Sequence, residues 1–169
     1  VNGVVNIITR SAADTQGFQA DLMYGDVDSR ADLRYGGRIG DNGSYRIFAS
    51  GLDRGSVLTT TGAERGDDWQ LGQVGFRTDW GGLSNNVMVQ GAYHDRLDDR
   101  SDNTGAHILG RWRRLFDDGS SIEAQAFYSY AAAAAGPVSD ELQMWDIDLQ
   151  HSFAVSGAHQ IVWGGGYRV

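Results

Sequence analysis

Asp117-Asp118-Gly119-Ser120-Ser121 runs straight into Ile122-Glu123-Ala124-Gln125-Ala126-Phe127-Tyr128-Ser129-Tyr130. The first five residues have turn chemistry: carboxylates, a glycine and hydroxyls that favour tight reversals. In the second stretch Ile122, Ala124, Ala126, Tyr128 and Tyr130 fall on one parity, and Glu123, Gln125 and Ser129 on the other. A period of two is the signature of a β-strand with one apolar and one polar face. Its length, near ten residues, exceeds the usual soluble strand of about 5–6 and matches the about 9–11 that a tilted spanning strand needs.

The same unit recurs in both directions. Strands are predicted at about 17–25, 30–39, 44–53, 69–80, 86–94, 105–116, 121–130, 144–155 and 160–168. Leu33, Ile47, Val74, Val89, Ile108, Ala126 and Leu149 belong to the apolar parity. Arg34, Arg46, Arg77, Arg111, Glu123 and Asp148 place full charges in mid-strand on the polar parity. Phe48 and Leu52 fall on the polar side and His151 on the apolar side, against the pattern. Tight turns at 40–44, 81–86, 117–121 and 156–160 alternate with mostly longer polar gaps at 54–68, 95–104 and 131–143. Short and long connections in alternation suit an up-and-down barrel with two unlike rims. The expected fold is therefore all-β: an antiparallel up-and-down meander of about 8–9 strands, part of a large transmembrane β-barrel. Tyr and Trp near strand ends, such as Tyr24, Trp80, Tyr93, Tyr130 and Trp163, suit membrane girdles. A soluble sheet with one wet face also alternates, which leaves a binding or adhesion module as the alternative reading.

Composition excludes several classes. The chain has 169 residues, 41% of them hydrophobic, with 24 glycines and no cysteine, so thiol chemistry and disulfides are absent. All 14 basic residues are arginine, which removes P-loop, Schiff-base and Ser–Lys chemistry. A net charge of −8 argues against nucleic acid as a partner. No run of about 18 apolar residues forms a transmembrane helix. No nucleophile–base pairing stands out, so neither enzyme activity nor a cofactor is expected; an outer-membrane barrel enzyme would need a serine or threonine nucleophile that nothing singles out. Asn42-Gly43-Ser44 matches a glycosylation triplet but reads better as a hairpin turn in which Asn-Gly supplies positive φ. The abrupt ends read as those of a piece of something longer.

Val1-Asn2-Gly3-Val4-Val5-Asn6-Ile7-Ile8-Thr9-Arg10-Ser11-Ala12 resembles the closing segment of the plug domain in TonB-dependent outer-membrane receptors. Arg34-Tyr35-Gly36-Gly37-Arg38, Gly75-Phe76-Arg77-Thr78-Asp79-Trp80, Gly110-Arg111-Trp112 and Val162-Trp163-Gly164-Gly165-Gly166-Tyr167-Arg168 fit the barrel of that family. The resemblance implies two parts: 1–12 as the last plug strand and exit, and 13–169 as the incomplete first part of the barrel. It implies the outer membrane of a Gram-negative bacterium, with outer-membrane lipid as a partner. It also implies that the TonB complex acts through the parent chain, on a receptor for a scarce ligand, a ferric siderophore above all. The segment that TonB pulls, most of the plug and more than half the strands lie outside this sequence, so transport would belong to the parent chain. By the same analogy the tight turns face the periplasm.

His94, His107, Arg111 and Arg34 are the residues picked out for ligand contact. His94 and His107 flank one outer loop that also carries Asp95, Asp98, Asp99 and Asp102, a set able to hold a cation or a ligand. No metal site is assigned, because a solvated acidic loop explains the same residues. Arg34, Arg38, Arg111 and Arg113 could attract an anionic chelate, or instead pair with Asp21, Asp32 or Glu123 across strands.

Overall fold

The computed structural model describes residues 9–98, 101–156 and 159–169. Nine strands form one antiparallel sheet in sequence order, β1 to β9. They are β1 (Gly17–Tyr24), β2 (Asp28–Ile39), β3 (Gly43–Arg54), β4 (Trp69–Gly81), β5 (Asn85–Asp98), β6 (Asp102–Leu115), β7 (Ser121–Ala135), β8 (Val138–Ser156) and β9 (His159–Arg168). A short 3-10 turn, Ala13–Thr15, precedes them, and no α-helix occurs among the described residues. The expected plug-exit residues Val1–Ile8 lie outside the described part, as does Asp99.

Every strand that alternation predicts is present, but β5 to β8 run further than alternation reached. The gaps at 95–104 and 131–143 are mostly paired strand: Asp95 faces Thr104, and Ala131 to Ala135 face Leu142 to Val138. There apolar residues no longer alternate with polar ones, Leu97, Val138 and Leu142 standing singly among polar or small residues, so the period-two signal vanishes while the backbone ladder continues. Only the 55–68 connection is a true long loop. The turn after β2 also differs from expectation. Its positive φ belongs to Gly40, at 58°, and neither Asn42 nor Gly43 is among the described residues with positive φ, so Asn42-Gly43 does not supply it.

Registered partners share a face, so the ladder carries parity across the sheet. Leu33 faces Ala49, Ile47 faces Phe76, Val74 faces Tyr93, Val89 faces Gly110, Ile108 faces Tyr128, and Ala126 faces Ile147. The seven apolar residues named above therefore lie on one continuous face. Arg34, Arg46, Arg77, Arg111, Glu123 and Asp148 lie on the other.

Neither face is covered over most of its area. The accessible surface is 12157 Å², against about 8,200 Å² for a compact chain of this mass. No large side chain is fully buried, and Ala12 and Met88 are the only buried hydrophobic residues among those described. Ile47, Val74 and Ile147 are each half exposed. β1 and β9 are the two ends of the sheet and do not pair with each other. A bare apolar face and two free strand edges both recruit other chains. The chain alone in buffer is expected to be β-rich and aggregated, and monodisperse in detergent. Light scattering beside far-UV circular dichroism checks this, and a monodisperse monomer without detergent would refute it.

Candidate functional site

The polar face is where the chain covers itself. Residues 9–16 fold back onto β3, β4 and β5, bound by charged side chains in mid-strand. Arg77 makes a two-pronged contact with Asp79, 2.8 Å on each prong. Asp79 Oδ2 also accepts the Ala12 N–H at 2.7 Å. Arg77 donates further to the Thr9 carbonyl at 3.2 Å and the Thr9 hydroxyl at 2.6 Å. Arg46 donates to the Arg10 carbonyl at 3.2 Å. Inside the segment Thr15 Oγ1 and Gln16 close on the Ala12 carbonyl, at 3.2 and 2.7 Å. Ala12 and Thr15 are almost wholly buried here. Gly36 makes the approach possible: a Cβ there would sit 2.2 Å from the Thr15 carbonyl oxygen.

Electrostatics explains why this segment settles here. Arg46 and Arg77 are direct partners across β3 and β4, and Arg34 lies close enough to act on the Arg46 charge. Like charges opposite one another destabilise a ladder. Asp79 offsets one guanidinium, and the carbonyls of residues 9 and 10 supply acceptors for the rest.

All four sequence-predicted contact residues lie on this same face. His94 and His107 are brought together: the His94 ring lies over Gly105, where a Cβ would meet it at 2.3 Å, and His107 follows two residues on. The His107 ring stands 6.2 Å from that of Phe127. Arg111 donates to Gln125 Oε1 at 3.1 and 2.8 Å and lies 3.5 Å from Glu123, the cross-strand pairing weighed against a ligand role. Arg34 borders a polar hollow of about 310 Å³ with Gln19, Asp21, Asp32 and Ser50. Its Nε is buried and has no hydrogen-bond partner. Arg34 and Arg111 are four strands apart, roughly 19 Å, too far to grip one small group.

The histidine–aspartate set does not converge. Asp95 points to the opposite face from His94 and accepts from Thr104 at 2.7 Å. Asp102 shares the face of Asp95, by its register with Ala134. No group of three or more metal-ligating side chains occurs among the described residues. What sequence reasoning missed is the anchor. Arg46 and Arg77 stood out as mid-strand charges, but a polar linker at 10–16 gives no periodic sign of where it lands.

The 55–68 loop is an ordered hairpin. Leu58 bridges Glu64, and Asp67 Oδ1 accepts the Val57 N–H at 2.9 Å and the Ser56 hydroxyl at 3.3 Å. The Val57 N–H holds the Asp67 carboxyl below its usual range, with Ser56 and Arg65 acting the same way against the opposing desolvation.

No known family, curated protein or solved structure matches the chain.

Two outcomes follow from these contacts. Asp79→Asn leaves Arg46 and Arg77 opposed without their carboxylate. Loss of a charge-assisted bond in a half-buried site costs about 1.5–3 kcal/mol, so amide exchange over 9–16 should quicken by roughly ten- to hundredfold. Unchanged exchange would mean the segment is held otherwise. For the loop, the folded Asp67 pKa lies below the unfolded one. Its contribution is therefore complete above the unfolded carboxylate range, near about 3.9, and fades as pH falls through the depressed folded value. Exchange within 55–68 should rise on acidification below that range, and Asp67→Asn should show the faster exchange already at neutral pH.

Proposed function

We propose that this sheet is an arc of a large transmembrane β-barrel in the outer membrane, belonging to a receptor for TonB-energised uptake of a scarce ligand such as a ferric siderophore. The energy source and ligand class rest on the sequence resemblance. The membrane placement rests on geometry, and one observation carries it.

The apolar band drifts obliquely across the register. Leu22 on β1 is linked through Ala31, Gly51, Gly72, Asp95, Thr104 and Ala132 to Glu141 on β8. Leu22 is inside the band, which reaches Tyr24. Glu141 is outside it, because on β8 the band begins at Trp145. The other edge moves the same way. Phe18 is linked to Trp145 through Tyr35, Ile47, Phe76, Gly91, Ile108 and Tyr128. Phe18 ends the band on β1, whereas on β8 it continues to Phe153. Each edge thus shifts by about one residue per strand. A rise of about 3.3 Å against a spacing of about 4.8 Å gives strands tilted by about 35° to the band. That is the tilt of membrane barrels. From Ile122 to Tyr130 the band spans eight residues of β7, so about 27 Å along the strand and about 22 Å along the normal, close to the about 25 Å apolar belt of such barrels. A sheet facing water has no slab for both edges to track.

Two further features support an arc over a small closed barrel. With nine strands, β1 and β9 run the same way, so joining them would make one parallel seam among antiparallel ladders. And residues 9–16 lie on the polar face, where a plug would leave a lumen.

Depth measurement by spin labels tests this. Leu22→Cys and Ile147→Cys should report equal, lipid-buried depth in bilayers, and Glu141→Cys should report water. Val89→Arg should weaken insertion by about 2–4 kcal/mol. If none of the labels meets lipid, the chain is a soluble β-sheet binding or adhesion module instead.

A further inference from the structure

Charge on the apolar face is sorted by end. Its acidic residues, Asp53, Asp95, Asp102 and Glu141, all sit at the end bearing the 55–68 loop. Its basic residues among those described, Arg114, His151 and His159, all sit at the tight-turn end. Two of them fall in a single register row: Asn85, Arg114, Ile122, His151 and Trp163. Trp112, bonded through Nε1 to Asn85 Oδ1 at 2.9 Å, flanks this row on the band side.

The row is preorganised. Trp163 Nε1 donates to His151 Nδ1 at 3.0 Å. In the neutral imidazole that bond leaves the proton on Nε2, which becomes an outward donor. Phe153 stacks on the His151 ring at 5.1 Å and fixes its plane. Arg114 lies over the Phe116 ring at 5.1 Å, its charge aimed past the last turn of the ladder. Arg114 and His151 are two strands apart, roughly 10 Å, with the apolar Ile122 between them. Arg114 and His151 flank Ile122 in that row, and Ala124 and Leu149 continue the apolar face beside it. Next to it the β6–β7 turn presents Asp117 and Asp118. Ser120 holds one oxygen of Asp118, Oδ1, through N–H and hydroxyl at 2.9 and 2.6 Å. Two carboxylates beside one arginine and a histidine N–H donor repel a purely anionic headgroup and suit one that carries its own ammonium.

Resting on the membrane reading above, we propose that the tight-turn rim of the apolar face docks a zwitterionic aminophospholipid. Its phosphate sits between Arg114 and His151, and its ammonium faces Asp118.

A variant carrying Trp69→Phe, Trp80→Phe, Trp112→Phe and Trp145→Phe keeps Trp163 as the sole tryptophan. It is reconstituted in vesicles of phosphatidylethanolamine and phosphatidylglycerol, with the acyl chains of one or the other brominated. Brominated phosphatidylethanolamine should quench Trp163 as if enriched about fivefold over the bulk. Adding Arg114→Gln and His151→Gln should bring that enrichment to unity, while quenching in fully brominated vesicles stays the same and shows the sheet still inserted. Equal quenching by the two lipids, a preference for phosphatidylglycerol, or a preference that survives both substitutions would each overturn the site. No quenching by either lipid would remove the membrane reading itself and the site with it.

Discussion

The structure depends on backbone pairing alone to an unusual degree. Eight antiparallel ladders tie the nine strands, and among the described residues no second layer of helices or strands lies against them. In an ordinary domain the apolar face of a sheet is buried on another element, and that burial supplies most of the stability. Here the ladder satisfies the interior backbone groups, but Leu33, Ile47, Val74, Ile108 and Leu149 find no protein partner across the sheet. On the reading proposed above, the covering medium is a bilayer, and the chemistry of the face is consistent with it. Apolar side chains form a slab with two edges, aromatics gather towards both, and carboxylates and arginines appear only beyond them, while the His151 ring lies just inside the edge at Phe153. That is the pattern that a bilayer imposes on strands that cross it.

The opposite face obeys a different rule. Charges there are tolerated because they are paired or solvated, and where they crowd, something is brought to them. Arg46 and Arg77 would repel across one ladder step, and the chain's own residues 9–16 supply the acceptors. Asp79 does two jobs with one carboxylate, holding Arg77 by both oxygens and capping the Ala12 N–H. Gly36 must remain without a side chain for the segment to come so near. The most deeply buried patch among the described residues, at Ala12 and Thr15, is thus polar in origin, a docking of backbone onto guanidinium groups rather than a hydrophobic core.

How much of this was legible follows from what each residue signals. Alternation located every strand, because side-chain parity is the same fact in sequence and in space. It failed at Ala131 to Ala135, where side chains are uniformly small, and at Asp95 to Asp98, where Leu97 alone among charged residues makes no alternation, so that only backbone pairing defines the strand. It placed His94, His107, Arg111 and Arg34 on one face correctly. It could not show that Asp95 leaves His94 for the other face in company with Thr104, nor that Arg111 is taken up by Gln125 and Glu123. His151 read as a defect in an apolar parity. In the sheet it stands at the rim, bonded to Trp163, where a polar ring on an apolar stem belongs. The anchor at 9–16 was the least legible, since a non-periodic linker acquires its meaning only from the surface that it meets.

The drift of the apolar band also explains why the strands lengthen from β1 to β8. β1 has 8 residues and β8 has 19. The tight turns follow the drifting edge closely: Gly40 comes directly after Ile39, and β8 ends three residues past Phe153. The other ends do not follow. As the band slides towards the turns, the β7–β8 hairpin is left projecting, from Trp145 back to Val138 on one strand and from Tyr130 to Ala135 on the other. A hairpin that projects past the slab needs no continuous apolar face, and its side chains there mix alanine, serine, aspartate, glutamate and glutamine with Val138, Leu142 and Met144. It still keeps full backbone pairing, and so stands as a stiff wall rather than a loose loop. Together with the internally bonded 55–68 hairpin, it places ordered structure above the mouth of the polar face. If the chain lines a receptor lumen as proposed, a ligand entering from that end meets β-ladders rather than loops that must first be ordered.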